Sequence, residues 1–85
     1  MTIVTETSAP AVPSLVRGMR LLRVSARRWR VLDRRGVVIG HIATDAAPEG
    51  VRFRAERFDL AAARLRGLGT FWRVEEAVDC LRYLR

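Results

Sequence analysis

The stretch GLGTFWRVEEAVDCL, residues 67–81, decides how the chain folds, because the spacing of its apolar residues changes partway along it. Up to Phe71 the apolar residues are close-set and β-prone, whereas Val74, Ala77, Val78, Leu81 and Leu84 recur at offsets of three and four. A strand therefore hands over to a helix. The predicted helix, about 74–84, carries Glu75 and Glu76 in its first turn and Arg82 and Arg85 in its last, which complements the helix dipole at both ends. Its apolar side should cover a sheet.

That sheet is legible upstream. Val51, Phe53 and Ala55 alternate with Arg52, Arg54 and Glu56, the period of a strand with one face in the core and one in water. VVIGHIAT, residues 37–44, is apolar on both faces, as expected of a central strand. Residues 45–50 form its loop. MRLLRVSARRWRVLD, residues 19–33, reads as extended chain interrupted around residues 25–27, either one bulged strand or two short ones. It ends in a DRRG turn, where Asp33 can accept turn amides and Gly36 tolerates positive φ. Residues 60–68 contain strong helix formers, yet Asp59 at one end and Gly67 with Gly69 at the other also suit a hairpin, which is the favoured reading.

An 85-residue chain with 49% apolar residues allows one domain with one small core. Residues 1–14, with Pro10 and Pro13 and no sustained periodicity, read as a leader, leaving 15–85 as the domain. Strands first and helix last define an α+β fold, a three- or four-stranded antiparallel sheet packed against one C-terminal helix.

The net charge of +7 comes entirely from sixteen arginines against nine acids, with no lysine. Arginine suits planar, bidentate pairing with phosphate or guanine. The arginine type itself follows from a GC-rich coding bias as readily as from function, but the excess of base over acid does not. Cys80 is the only cysteine, so no internal disulfide forms, and a reducing cytoplasm is the expected compartment. No apolar run reaches the roughly 18–20 residues of a membrane span.

Catalytic, metal and cofactor sites find no support. His41 is the only histidine and sits in an apolar strand, Ser25 has no histidine nearby, and Glu75 and Glu76 point about 100° apart on a helix. Phe71 and Trp72 read most simply as core or hinge residues covering the sheet's end.

LGTF followed by EEA, with an upstream Arg-Trp pair, resembles the DNA-binding domain of plant ethylene-response factors and, more loosely, the arm-type domain of tyrosine integrases. The matched residues are Leu68, Gly69, Thr70, Phe71, Glu75, Glu76, Ala77, Arg28 and Trp29. The resemblance implies a three-stranded antiparallel sheet backed by one helix, with arginines and tryptophans of the exposed face in the DNA major groove. The chain departs from that pattern by an extra strand and loop between residues 33 and 67. It also carries Trp72 and Arg73 where the family caps its helix with Asp-Thr.

The residues give the same expectation on physical grounds. Arg28 and Arg30 on one strand and Arg52 and Arg54 on another should project opposite the helix, with Gly40 allowing close approach between them. Such a ribbon fits the major groove, while Arg34 and Arg35 in the turn would hold phosphates. The candidate site is thus Arg28, Arg30, Arg34, Arg35, Arg52 and Arg54 with Trp29, and the expected ligand is duplex DNA ahead of RNA. Single strands would instead need an exposed Trp29 or Trp72 for stacking. The plainer reading is that a wet sheet face must be polar and arginine is this chain's polar residue. The alternative function is a protein-interaction module, its arginine face or an open sheet edge engaging an acidic partner or a second copy in a homo-oligomer.

Overall fold

The computed structural model describes residues 12–83. Six strands follow one another as β1 (Leu15–Val16), β2 (Met19–Ser25), β3 (Arg28–Leu32), β4 (Val38–Ala47), β5 (Gly50–Asp59) and β6 (Arg64–Phe71), and one helix, α1 (Val74–Tyr83), closes the chain. Every strand pairs antiparallel with its sequence neighbour, so the order across the sheet is β1-β2-β3-β4-β5-β6. The α+β class is as expected. The strand number is not, because the sequence predicts three or four strands and the sheet has six.

The difference arises at tight turns, and of the two readings of residues 19–33 the two-strand one holds. Residues 19–33 make two full strands, joined by Ala26 and Arg27, where the Arg27 amide meets Ser25 Oγ at 3.4 Å. Arg17 and Gly18 both have positive φ, 54° and 78°, which is the twist of a tight two-residue hairpin and adds the short β1. The predicted loop at 45–50 shrinks to Pro48 and Glu49, since β4 runs to Ala47 and β5 begins at Gly50.

The hairpin reading of 60–68 agrees with the fold. Asp59 Oδ1 accepts the amides of Ala61 (3.0 Å) and Ala62 (3.3 Å), and Ala63 adopts φ 53° before β6 starts. In the DRRG turn Asp33 Oδ1 accepts the amides of Arg35 (2.8 Å) and Val37 (2.9 Å), and Gly36 takes φ 82°. The expected leader falls mainly outside the described residues, but Val12 packs against the core and the Ser14 carbonyl accepts the Leu21 amide at 2.9 Å.

Helix α1 lies across β4, β5 and β6 on one face of the sheet. Val31, Ile42 and Ala55 from the strands and Ala77, Val78 and Leu81 from the helix are wholly buried between the two layers. Bulges help fill this layer. The extra residues of β4 and β6, Ile39 and Leu68, both join the core, because one additional residue reverses the side to which a strand points. Gly40 pairs with Val31 on this same face, where an added Cβ would stand 2.5 Å from Leu81 Cδ2 and 2.6 Å from the Glu56 carbonyl oxygen. Its role is therefore to seat the helix. The sequence assigned it to the opposite face, between the arginine strands.

Candidate nucleic-acid interface

The register sorts the arginines. Leu21, Val31, Gly40, Ile42, Ala55 and Gly69 line up on the helix side, so the residues alternating with them face away from it. On that open face stand Arg20 of β2, Arg28 and Arg30 of β3, His41 and Asp45 of β4, Arg52, Arg54 and Glu56 of β5, and Thr70 of β6. Four of the predicted site residues, Arg28, Arg30, Arg52 and Arg54, are brought together there.

Two of the four are neutralised. Glu56, buried beneath them, accepts Arg28 Nε (3.1 Å) and Nη2 (3.2 Å) in a fork and Arg54 Nε at 3.0 Å. Arg54 Nη1 pairs in turn with Asp45. Partial burial works against the Arg54 charge, but hydrogen bonds and attraction from Glu56 and Asp45 outweigh it and raise its pKa above the ordinary value. Two guanidinium groups against two carboxylates leave this cluster with no net charge. Beside it, burial lowers the His41 pKa below 6.5, and repulsion from Arg30 and Arg28 acts the same way against Glu56. The imidazole is neutral at pH 7, and its enclosed Nδ1 has no hydrogen-bond partner among the described residues.

The uncompensated charges of the face are Arg20, Arg30 and Arg52, none of which forms an ion pair among the described residues. Arg52 is held without a carboxylate: its Nη2 donates to Thr70 Oγ1 at 2.9 Å, and its guanidinium carbon lies 4.9 Å from the centroid of the Trp72 ring. Trp72 continues the alternation of Thr70 and so joins the open face, where it is 49% exposed. The sequence reading placed it in the core or a hinge. Only the persistence of period two past Phe71, with Thr70 and Trp72 on one side, could have revealed it.

Trp29 requires the opposite correction. It faces the helix side, paired across the sheet with Ile42, is 3% exposed, and is roofed by Arg23 at 5.2 Å, so it is not presented to a nucleic acid. The alternation of RWRVL puts Trp29 and Val31 on one side and the two arginines on the other. Arg34 and Arg35 also lie apart from the open face. Their turn stands at the sheet's end beside Met19, and the Arg34 guanidinium packs over Gly18.

The other end of the open face is apolar. Leu22, Val38 and Phe58 are about half exposed there, next to Leu32 and Leu65. Pairing between β4 and β5 stops at His41 and Glu56, and beyond that point a groove of about 350 Å³ opens, lined by Val37, Val38, His41, Arg57 and Phe58 among others. Arg57 reaches from it to the Leu81 carbonyl at 3.3 Å. Among the described residues no group of three or more His, Cys, Asp and Glu clusters as a metal site requires, and no helix is long and apolar enough to cross a membrane. No family model, no curated protein and no solved structure matches the chain.

Proposed function

We propose that the protein binds nucleic acid through the open face of its sheet. The observation that supports this most directly is a diagonal of unpaired arginines, Arg20, Arg30 and Arg52, running from β2 to β5 over a neutral, ion-paired floor. A carboxylate-free guanidinium on a rigid strand is pre-oriented for a phosphate oxygen and needs no internal pair broken first. The resemblance of residues 68–77 to ethylene-response-factor domains, and a cytoplasmic setting with one unpaired cysteine, accord with this reading. Duplex DNA, the ligand expected from the sequence, would be met across its phosphates. The arginine diagonal spans four strands, so its extent across the sheet alone is roughly 14 Å at about 4.8 Å per step, which exceeds the ~12 Å width of the major groove.

Fluorescence anisotropy with labelled DNA and RNA provides the test. Replacing Arg30 and Arg52 together by Ala should weaken binding roughly tenfold for each residue, as loss of a charge-assisted hydrogen bond does, with the thermal transition unchanged. Affinity indifferent to both substitutions removes the open face from the reading.

The apolar end of the same face supports a second reading, a protein-interaction module. Leu22, Val38 and Phe58, rimmed by Arg20 and Arg30, have the apolar-centre, polar-edge layout of an interface for an acidic partner or a second copy. In that case sedimentation shows self-association or partner binding that the arginine pair does not govern.

A further inference from the structure

From Trp72 and its surroundings we infer that the ligand is a single strand, one of whose bases stacks on the Trp72 indole; this rests on the nucleic-acid reading above. Duplex bases are already stacked and offer no free π-face, so only a single strand gives the indole a base to stack on. Three features of the structure meet at this ring. Trp72 is half exposed on the same face as the unpaired arginines. Arg52 lies over one face of the ring, 4.9 Å from its centroid, anchored by Thr70 and not by a carboxylate, so a positive charge backs the indole and the base stacks on the opposite face. Gly50 passes the ring edge, where even a Cβ would stand 3.8 Å from Cζ3, so the strand there puts no side chain against the indole.

The path of the strand follows from the arginines. From Trp72 and Arg52 it runs past the neutral Arg28–Glu56–Arg54 cluster to Arg30 and Arg20, a diagonal of roughly 25 Å given ordinary strand spacing and rise. That accommodates on the order of four nucleotides, the lower end of the range for β-sheet platforms that hold single strands. Single-stranded DNA and RNA share the two groups used, a stacking base and a phosphate, and differ at the sugar, for which the face shows no selective contact.

The full chain titrated with short oligothymidylate, oligouridylate and a duplex of equal length tests the inference. Of the two tryptophans Trp29 is buried, so quenching of indole fluorescence reports on Trp72. The expected result is quenching by one or both single strands, tighter binding of them than of the duplex, and a loss of roughly fivefold to a hundredfold for single strands alone in Trp72→Ala. Trp72→Phe, which keeps an aromatic surface, should retain most of the affinity. Unchanged Trp29 emission in either variant shows that the fold is intact. Duplex binding equal to or tighter than single-strand binding, or a Trp72→Ala variant with undiminished single-strand affinity, overturns the inference and leaves the nucleic-acid reading standing. Binding of neither form ends both.

Discussion

Glu56 determines how much of the arginine on the open face is available to a partner. Its carboxylate is almost wholly buried and serves Arg28 and Arg54 together, each of which is about one-third exposed. A charge so placed is stable only because it is paired, and its partners are held in fixed rotamers by it. Glu56→Gln retains the shape and some hydrogen bonding but leaves the two guanidinium groups without their shared counter-charge. Because water still reaches both arginines, the cost should be about 1–2 kcal/mol, below that of breaking a fully buried pair. The same substitution adds one positive charge to the face. A denaturant midpoint that falls while nucleic-acid affinity rises severalfold is therefore the expected outcome, measured by chemical unfolding and anisotropy on one preparation. Stability and affinity falling together would show that the cluster positions the ligand and does not merely floor the site.

Between elements, the closest fit is that of β4 under α1 at Gly40. The chain has no room there for a methyl group, since one obstacle is a leucine side chain and the other is backbone of the neighbouring strand. Gly40→Ala should destabilise the fold by roughly 2–3 kcal/mol, the upper range for overpacking. Adding Leu81→Ala should not rescue it, because the Glu56 carbonyl remains in place and a core leucine has been lost; full rescue in thermal melts would show that the side-chain contact alone matters. This seat was invisible in the sequence, where a glycine within VVIGHIAT has the same appearance whichever face it serves. Periodic elements were legible: the alternation of residues 51–56 fixed both faces of β5, and the three-and-four spacing after Phe71 located the helix to within a residue of its observed bounds. Strand number was legible only in part: residues 19–33 read as either one bulged strand or two, and the hairpin at residues 17–18 turns within two residues and interrupts no apolar pattern. The bulges that carry Ile39 and Leu68 into the core hid for a related reason, since a one-residue shift in register depends on the partner strand and leaves no mark in the strand's own sequence.

At the scale of the whole molecule, composition overstated the site. Net charge was legible as a number, but which arginines are spent internally depends on contacts far apart in sequence, such as Arg28 with Glu56 or Arg17 with Asp79 at 3.4 Å. Trp29 and Trp72 exchanged roles for the same reason, their exposure being decided by which strand face meets the helix. Salt dependence measures the difference between total and available charge. A basic chain making six or more phosphate contacts to duplex DNA would lose on the order of a thousandfold in affinity between about 50 and 200 mM salt. Three unpaired arginines on the open face, with up to two more from the adjoining turns, amount to about three to five contacts. With a slope near −0.7 per contact for single strands, the same change in salt should cost only about twentyfold to a hundredfold. Replacing Arg30 by Ala should then flatten the slope by about 0.7, whereas Arg64→Ala, on the distant β5–β6 hairpin, should leave it unchanged. A steep slope shared out among arginines all around the molecule would mean that the protein is held by its net charge and not by this face.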